Sequence, residues 1–270
     1  MAASTALFIT LVVSTPTAAQ TYHAEGRYPP RYPPKGLFDR GLTFCRLMYE
    51  SDRREAGGMG WVTDYPFAEI NFLTRVSELT TTGVNFDETH TPNYYVVRPT
   101  DDALFNCPFV MATDIGTGRF SPDDVAHLRA YLLKGGFLWV DDFWGDWAWS
   151  QWSQEIGKVL PPSEYPIVEV PLSDPLYSTL YELNHMPQIT SIQFWRRNGG
   201  TTTSERGEES AQPHLRAIRD ARGRIMVLMS FDTDIGDAWE RETEDIEFFY
   251  KFAHDGYALG IDAILHVMSH

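Results

Sequence analysis

The residues best suited to chemistry are carboxylates placed where the chain turns. Asp141 and Asp142 stand at the end of the apolar run Phe137–Val140, and Asp64 and Asp234 lie in other short segments rich in Gly, Thr and Trp. Carboxylates that meet at one point act as general acids and bases, or as oxygen ligands for a divalent cation. Glu69 and the imidazoles of His185, His214 and His254 are candidate partners for such a group. The competing role is local. Aspartates at turns cap helices and accept backbone N–H bonds, and Asp146, next to Gly145, suits that role. No H-E-x-x-H or EF-hand spacing occurs, so no metal and no other cofactor is expected. His127 and His266 lack an acid–base context and read as structural. Cys45 falls inside a strand-like run and Cys107 just ahead of one, where cysteine is usually buried and inert. A disulfide between them suits an exported protein, but spacing does not decide it.

These residues are positioned by alternating strands and helices. Leu42–Tyr49, Asn93–Arg98, Phe109–Thr113, Phe137–Val140 and Ile167–Val170 read as strands. Pro66–Thr80 carries apolar residues at 67, 70, 73, 76 and 79 and reads as a helix. Ser121-Pro122-Asp123-Asp124 is a helix start, Gly135-Gly136 a helix stop, and Asp146–Lys158 a further helix. Leu172–Met186 opens with Ser173-Asp174-Pro175, another helix start. Asn198–Gln212 lacks periodicity and reads as a mobile surface loop. Leu215–Asp220 and Arg224–Phe231 form a hairpin, and Glu244–Met268 a long terminal helix. The alternation predicts an α/β domain over 37–270 with a mostly parallel sheet covered on both faces.

Two other features point to binding. Trp139, Trp144, Trp147, Trp149 and Trp152 crowd into fourteen residues, and one helix face cannot bury both Trp147 and Trp149. Trp144, Trp147, Trp149 and Trp152 are therefore candidate partner-facing residues, since aromatics are enriched at interfaces and on sugar platforms. Phe248, Phe249, Tyr250, Phe252 and Tyr257 repeat the theme, where a wide buried stripe is the favoured reading. The second feature is the segment 20–36. It repeats Arg-Tyr-Pro-Pro, and Tyr22, Arg27, Tyr28, Pro29, Pro30, Arg31, Tyr32, Pro33 and Pro34 make it an extended cationic arm fit for a partner or an anionic surface. Residues 1–19 hold the apolar run Ala6–Val13 and a small-residue stretch ending in a plausible cut after Ala19, so export is expected, although no Lys or Arg precedes Arg27. If retained, that run could dip into a membrane interface without crossing it.

The 270 residues carry 22 Lys+Arg against 37 Asp+Glu, a net charge of −15, which excludes a nucleic-acid footprint. Two cysteines exclude a disulfide scaffold and a four-cysteine zinc site.

Several strings carry a resemblance: Trp61-Val62-Thr63-Asp64-Tyr65-Pro66, Glu69-Ile70-Asn71-Phe72, Gly135 to Gly145, Ile167 to Leu172, Asp232 to Glu240, and Met268-Ser269-His270. In order and spacing they resemble an uncharacterised family of exported bacterial domains. That resemblance implies a flavodoxin-like three-layer fold similar to class I glutamine amidotransferases and trehalose-utilisation-like domains. It supplies no activity. In size and arm the chain also resembles a membrane-extrinsic subunit that braces a bacterial photosynthetic reaction centre within its light-harvesting rings. An amidotransferase needs a thiolate on a tight strand–helix turn with a histidine beside it. The turn Asp141–Gly145 offers carboxylates and aromatics instead. The expectation is thus a non-catalytic periplasmic subunit, bound to an integral membrane complex through its arm and tryptophans. The alternative is an exported hydrolase or carbohydrate-binding protein built on Asp64, Asp141, Asp142 and Asp234.

Overall fold

A computed structural model describes residues 28–36 and 41–269. The signal-like segment, Tyr22 and Arg27 lie outside the described residues. In chain order the elements are β1 (Phe44–Leu47), β2 (Glu50–Ser51), α1 (Phe67–Leu79), β3 (Tyr94–Val97), β4 (Phe109–Thr113), β5 (Gly118–Arg119), α2 (Pro122–Leu133), β6 (Leu138–Asp141) and α3 (Gly145–Val159). There follow β7 (Ile167–Glu169), α4 (Ile192–Arg197), β8 (His214–Arg219), β9 (Ile225–Phe231), α5 (Ile235–Glu240), α6 (Ile246–Phe248) and α7 (His254–Ser269), with one wide turn over Phe249–Ala253. None of the described helices is long and apolar enough to cross a membrane.

Seven strands form one sheet in the order β3-β1-β4-β6-β9-β8-β7. The first five run parallel, and β8 and β7 add on by antiparallel pairing. From β1 the chain steps outward to β3 in one direction and to β4, β6 and β9 in the other. Right-handed crossovers then put the connecting helices on opposite faces. Helices α1, α5 and α7 pack on one another, as do α2 and α3. The arrangement is an α/β sheet between two helical layers, as expected. Strands β1, β4, β6 and β9 are buried along their whole length, as strands of a sheet covered on both faces must be.

Local chemistry explains most boundaries. Ser121 Oγ accepts from Asp124 N, Asp124 returns a bond to Ser121 N, and Pro122 occupies the first turn, so α2 starts where the sequence says. Three expectations need correcting. In α1 the buried face is Ala68, Glu69, Phe72, Leu73 and Val76, whereas Phe67 and Leu79 are exposed. A strict three-residue repeat drifts about 60° per step around a 3.6-residue helix, so 67 and 79 leave the face that 73 and 76 occupy. Within 172–186 only one turn forms, Pro175–Ser178, capped by Asp174. The following chain is held instead by Asp262 Oδ1, which accepts from Leu180 N and Tyr181 N. The segment 198–212 is pinned by its own polar side chains rather than by periodic apolar ones. Ser210 Oγ accepts from Arg206 N, Asn198 Oδ1 from Thr201 N, and Glu205 Oε1 from Thr190 Oγ1 and Ser191 N.

Residues 28–36 lie along the edge of the sheet. Arg31 O accepts from Val96 N of β3, Arg31 N donates to Tyr65 Oη, and the Arg31 guanidinium meets Asp87 at 3.2 Å. Tyr28 packs edge-on against Phe67 with centroids 5.2 Å apart. The described part of the arm thus covers an edge strand of its own domain, which removes unpaired backbone groups there.

Cys45 and Cys107 are joined as a disulfide across a separation of 62 residues, fastening β1 to the chain that leads into β4. Closing a loop of that size limits the unfolded chain. Replacing both cysteines by serine should lower the unfolding free energy by about 3 kcal/mol, read by urea denaturation under non-reducing conditions. A loss below about 0.5 kcal/mol would show that the bond does not hold the fold together.

Candidate functional site

The parallel strands end at one rim, and three of them end in the same way. Asp114 follows β4, Asp142 follows β6 and Asp232 follows β9, with φ of 51°, 54° and 59°. Asp64, ahead of α1, has φ of 65°. Aspartate reaches the left-handed region more easily than most residues, because its short polar side chain bonds locally. Such backbone turns a chain sharply from strand to loop, and it concentrates at functional sites.

The turns at Asp64, Asp114 and Asp142 line a cavity of about 770 Å³. It lies at the carboxyl ends of the strands, beside the β1/β4 boundary where strand order reverses. That is where ligands bind in open α/β sheets. One carboxylate oxygen each from Asp64, Asp142 and Asp234 lies within 4.8 Å of the other two. Asp237 and Glu240, on α5, meet Asp64 in the same fashion. Tyr28, Phe67 and Trp144 supply aromatic wall, and Arg197, Arg206 and Arg241 supply cations. Gly236 is required by close approach: a Cβ there would stand 2.4 Å from Asp64 Oδ2.

Burial sets the electrostatics. Asp64, Asp142 and Asp234 are pushed well above the usual carboxylate range, first by desolvation and then by the charges of neighbouring carboxylates. Asp237 and Glu240 are each raised to about 7 by burial, with Arg241 acting against it. Asp114 is raised to about 7 by burial, opposed by a hydrogen bond from Gly60 N at 2.7 Å.

The sequence-derived set is brought together in part. Asp64, Asp142 and Asp234 converge as expected. Asp141 does not line the cavity. Its Oδ2 accepts from Gly236 N at 2.8 Å and its Oδ1 from Ser230 Oγ, so it ties β6 to α5 and β9 beneath the floor. Glu69 is also below the floor, fully buried and paired with Arg46. His185 and His254 both meet Asp255 at the surface, and His214 meets Glu169, so no histidine serves the cavity among the described residues. Asp146 makes no capping bond. The start of α3 is capped across space, with Gly145 N donating to Asp232 Oδ1 at 2.8 Å. Sequence reasoning missed Asp114, Asp237, Glu240, Glu205 and Arg206. Asp237 and Glu240 are three apart, a helical spacing legible only once Asp234 is seen as an N-cap, its side chain accepting from Asp237 N.

A sequence profile described as "Domain of unknown function (DUF4159)" matches residues 43–268. The chain belongs to the DUF4159 family. The matched span runs from β1 to the end of α7, so every carboxylate of the cavity floor lies within the DUF4159 domain. No protein of curated function matches the sequence.

The tryptophans of the DUF4159 domain divide. Trp152 is fully buried against Phe120, which removes it from the partner-facing set. Trp144 is buried in the cavity wall, where its Nε1 donates to Asp142 Oδ1 at 2.9 Å. Trp149 is half-buried between Phe231 and the Arg216 guanidinium. Trp147 alone of the four is broadly open, 67% exposed beneath the Arg53 guanidinium at 3.9 Å. The buried residues of α3, Ala148, Trp152, Glu155, Ile156 and Val159 among them, lie on one face, and Trp147 lies off it.

Proposed function

We propose that this DUF4159 domain binds a small polyhydroxyl ligand, a carbohydrate or close analogue, in the carboxylate cavity, and that the reaction its side chains suit is hydrolysis by proton transfer. The observation that carries the reading is the cavity itself: about 770 Å³ at the switch point of the sheet, floored by carboxylates from separate loops. Carboxylates accept bonds from ligand hydroxyls, arginines donate to ring and linkage oxygens, and Phe67, 39% exposed, offers an aromatic face. The five parallel strands follow the 2-1-3-4-5 order of flavodoxin-like folds, which supports that finer fold assignment. The Cys45–Cys107 bond supports export, since disulfides persist in oxidising compartments. The competing reading, a non-catalytic periplasmic subunit of a membrane complex such as a reaction centre, retains Trp147 as its surface support.

The test is tryptophan fluorescence and calorimetry with a panel of neutral mono- and disaccharides. A binder should perturb Trp144 emission in the wild type. Asp142→Asn should weaken binding at least tenfold, about 1.4 kcal/mol, while leaving the fold intact. Silence across the panel, or unchanged affinity in the variant, would remove this reading.

A further inference from the structure

The floor brings Asp64, Asp142 and Asp234 together, and no ion pair reaches any of the three among the described residues. The ion pairs of the arginines around it go to other acids than these three: Arg46 to Glu69, Arg241 to Asp237 and Glu240, Arg206 to Glu55 and Glu205, while Arg197 lies against Phe194. Asp142 accepts from Trp144 Nε1, and Asp234 Oδ1 accepts from Asp237 N at 2.8 Å. Asp64 is 5% exposed, and its Oδ2 has no hydrogen-bond partner among the described residues. A buried carboxylate oxygen left unbonded is costly, and it marks a place where something else is expected to bind.

The geometry points to a binding site for one hard divalent cation, such as Ca2+ or Mn2+, held by Asp64, Asp142 and Asp234. This rests on the cavity being the ligand site and adds to it the ion that would share that site with the polyhydroxyl ligand. Two oxygens on opposite sides of a calcium ion stand about 4.8 Å apart at a bond length of ~2.4 Å. Donor oxygens that all lie within 4.8 Å of one another are close enough to turn to one shared centre. The donors are oxygen only, from three different loops, which favours calcium, magnesium or manganese over copper or zinc. Half-buried Asp142 opens on the cavity, leaving the outer coordination positions to water or to ligand hydroxyls.

The experiment uses the full chain after treatment with EDTA. Melting is followed with and without Ca2+, Mg2+ or Mn2+, and terbium is added as a luminescent probe excited through tryptophan. At a cation concentration about 100 times Kd, the melting temperature should rise by roughly 5–10 °C. Terbium emission should appear in the wild type, because Trp144 is bonded to a proposed ligand. Asp64→Asn and Asp234→Asn should lose both responses. Trp144→Phe should lose most of the emission yet keep the melting shift. Absence of any melting shift or emission in the wild type overturns the site. So does a response that persists undiminished in both aspartate variants, since the ion would then bind elsewhere. Saccharide binding that persists in EDTA without any cation response would overturn the ion and spare the saccharide reading. A cation response with no saccharide effect would do the reverse.

Discussion

Replacing Glu69 by alanine should cost about 3–5 kcal/mol of stability, among the largest losses available from one side chain in this protein. Glu69 and Arg46 are both fully buried and paired. Arg46 Nη1 donates to Thr113 Oγ1 at 2.6 Å and to Thr63 O at 3.2 Å. The guanidinium therefore links the end of β4 to the residue before Asp64. Without Glu69 it stays in the core with its charge unanswered, and that desolvation cost falls on the folded state. The paired change Arg46→Met with Glu69→Leu should recover much of the loss, because no charge is then buried. It should still weaken ligand or cation binding, because Thr63 and Thr113 lose their common anchor and Asp64 its support. Urea unfolding of the three variants checks the first point and calorimetry the second. A single-variant loss under about 1 kcal/mol would show that the pair is solvated after all.

The same ion pair shows where sequence reasoning stops. Glu69 sits five residues after Asp64 and was grouped with the acids of the cavity, yet it occupies the buried face of α1. An acid on the core side of a helix has to be paired, and its partner, 23 residues earlier in β1, carries no local mark. The sheet and the helix starts were legible because they are written locally, in apolar runs and in capping residues such as Ser121. Convergence of Asp64, Asp142 and Asp234 was legible as well, because parallel strands all present their carboxyl ends at one rim. Asp141 and Asp142 are adjacent but part ways. Asp141 is still in the strand and bonds downward to Ser230 and Gly236, while Asp142 has turned into left-handed backbone and faces the cavity. Asp237, Glu240 and Glu205 were illegible because α5 is only six residues long and the 198–212 segment is fixed by polar side chains, without an apolar period in either. Trp152 shares the one buried face of α3 with Ala148, Glu155, Ile156 and Val159, and Trp144 precedes the helix in the cavity wall, so of the four only Trp147 is left broadly open.

The wild-type protein should lose stability as pH rises from about 4 to about 8, and Asp114→Asn should remove the share of that loss that Asp114 carries. Asp114 takes up its proton at about 7 in the folded protein against 3.8 for the free side chain, because burial disfavours its charge. Between those values the folded chain holds a proton that the unfolded chain has released, so unfolding becomes easier as pH rises. The full difference corresponds to about 4 kcal/mol at one carboxylate. Asparagine suits the position: it tolerates a φ of 51°, and its side-chain oxygen can still accept from Gly60 N. Near pH 4 the two proteins should unfold at similar urea concentrations, and by about pH 8 the variant should be the more stable by up to about 4 kcal/mol. Most other buried carboxylates impose the same slope on both proteins; Asp142, which the Asp114 charge helps to raise, shifts with it and adds to the difference in the same direction. Parallel curves across the range would mean that Asp114 is charged and well solvated in the folded state, and that the cavity floor is wetter than its burial implies. If the curves diverge as expected, the native aspartate lowers stability at neutral pH where asparagine would not. A residue that weakens the fold at the rim of a ligand cavity fits a site kept for binding rather than for packing.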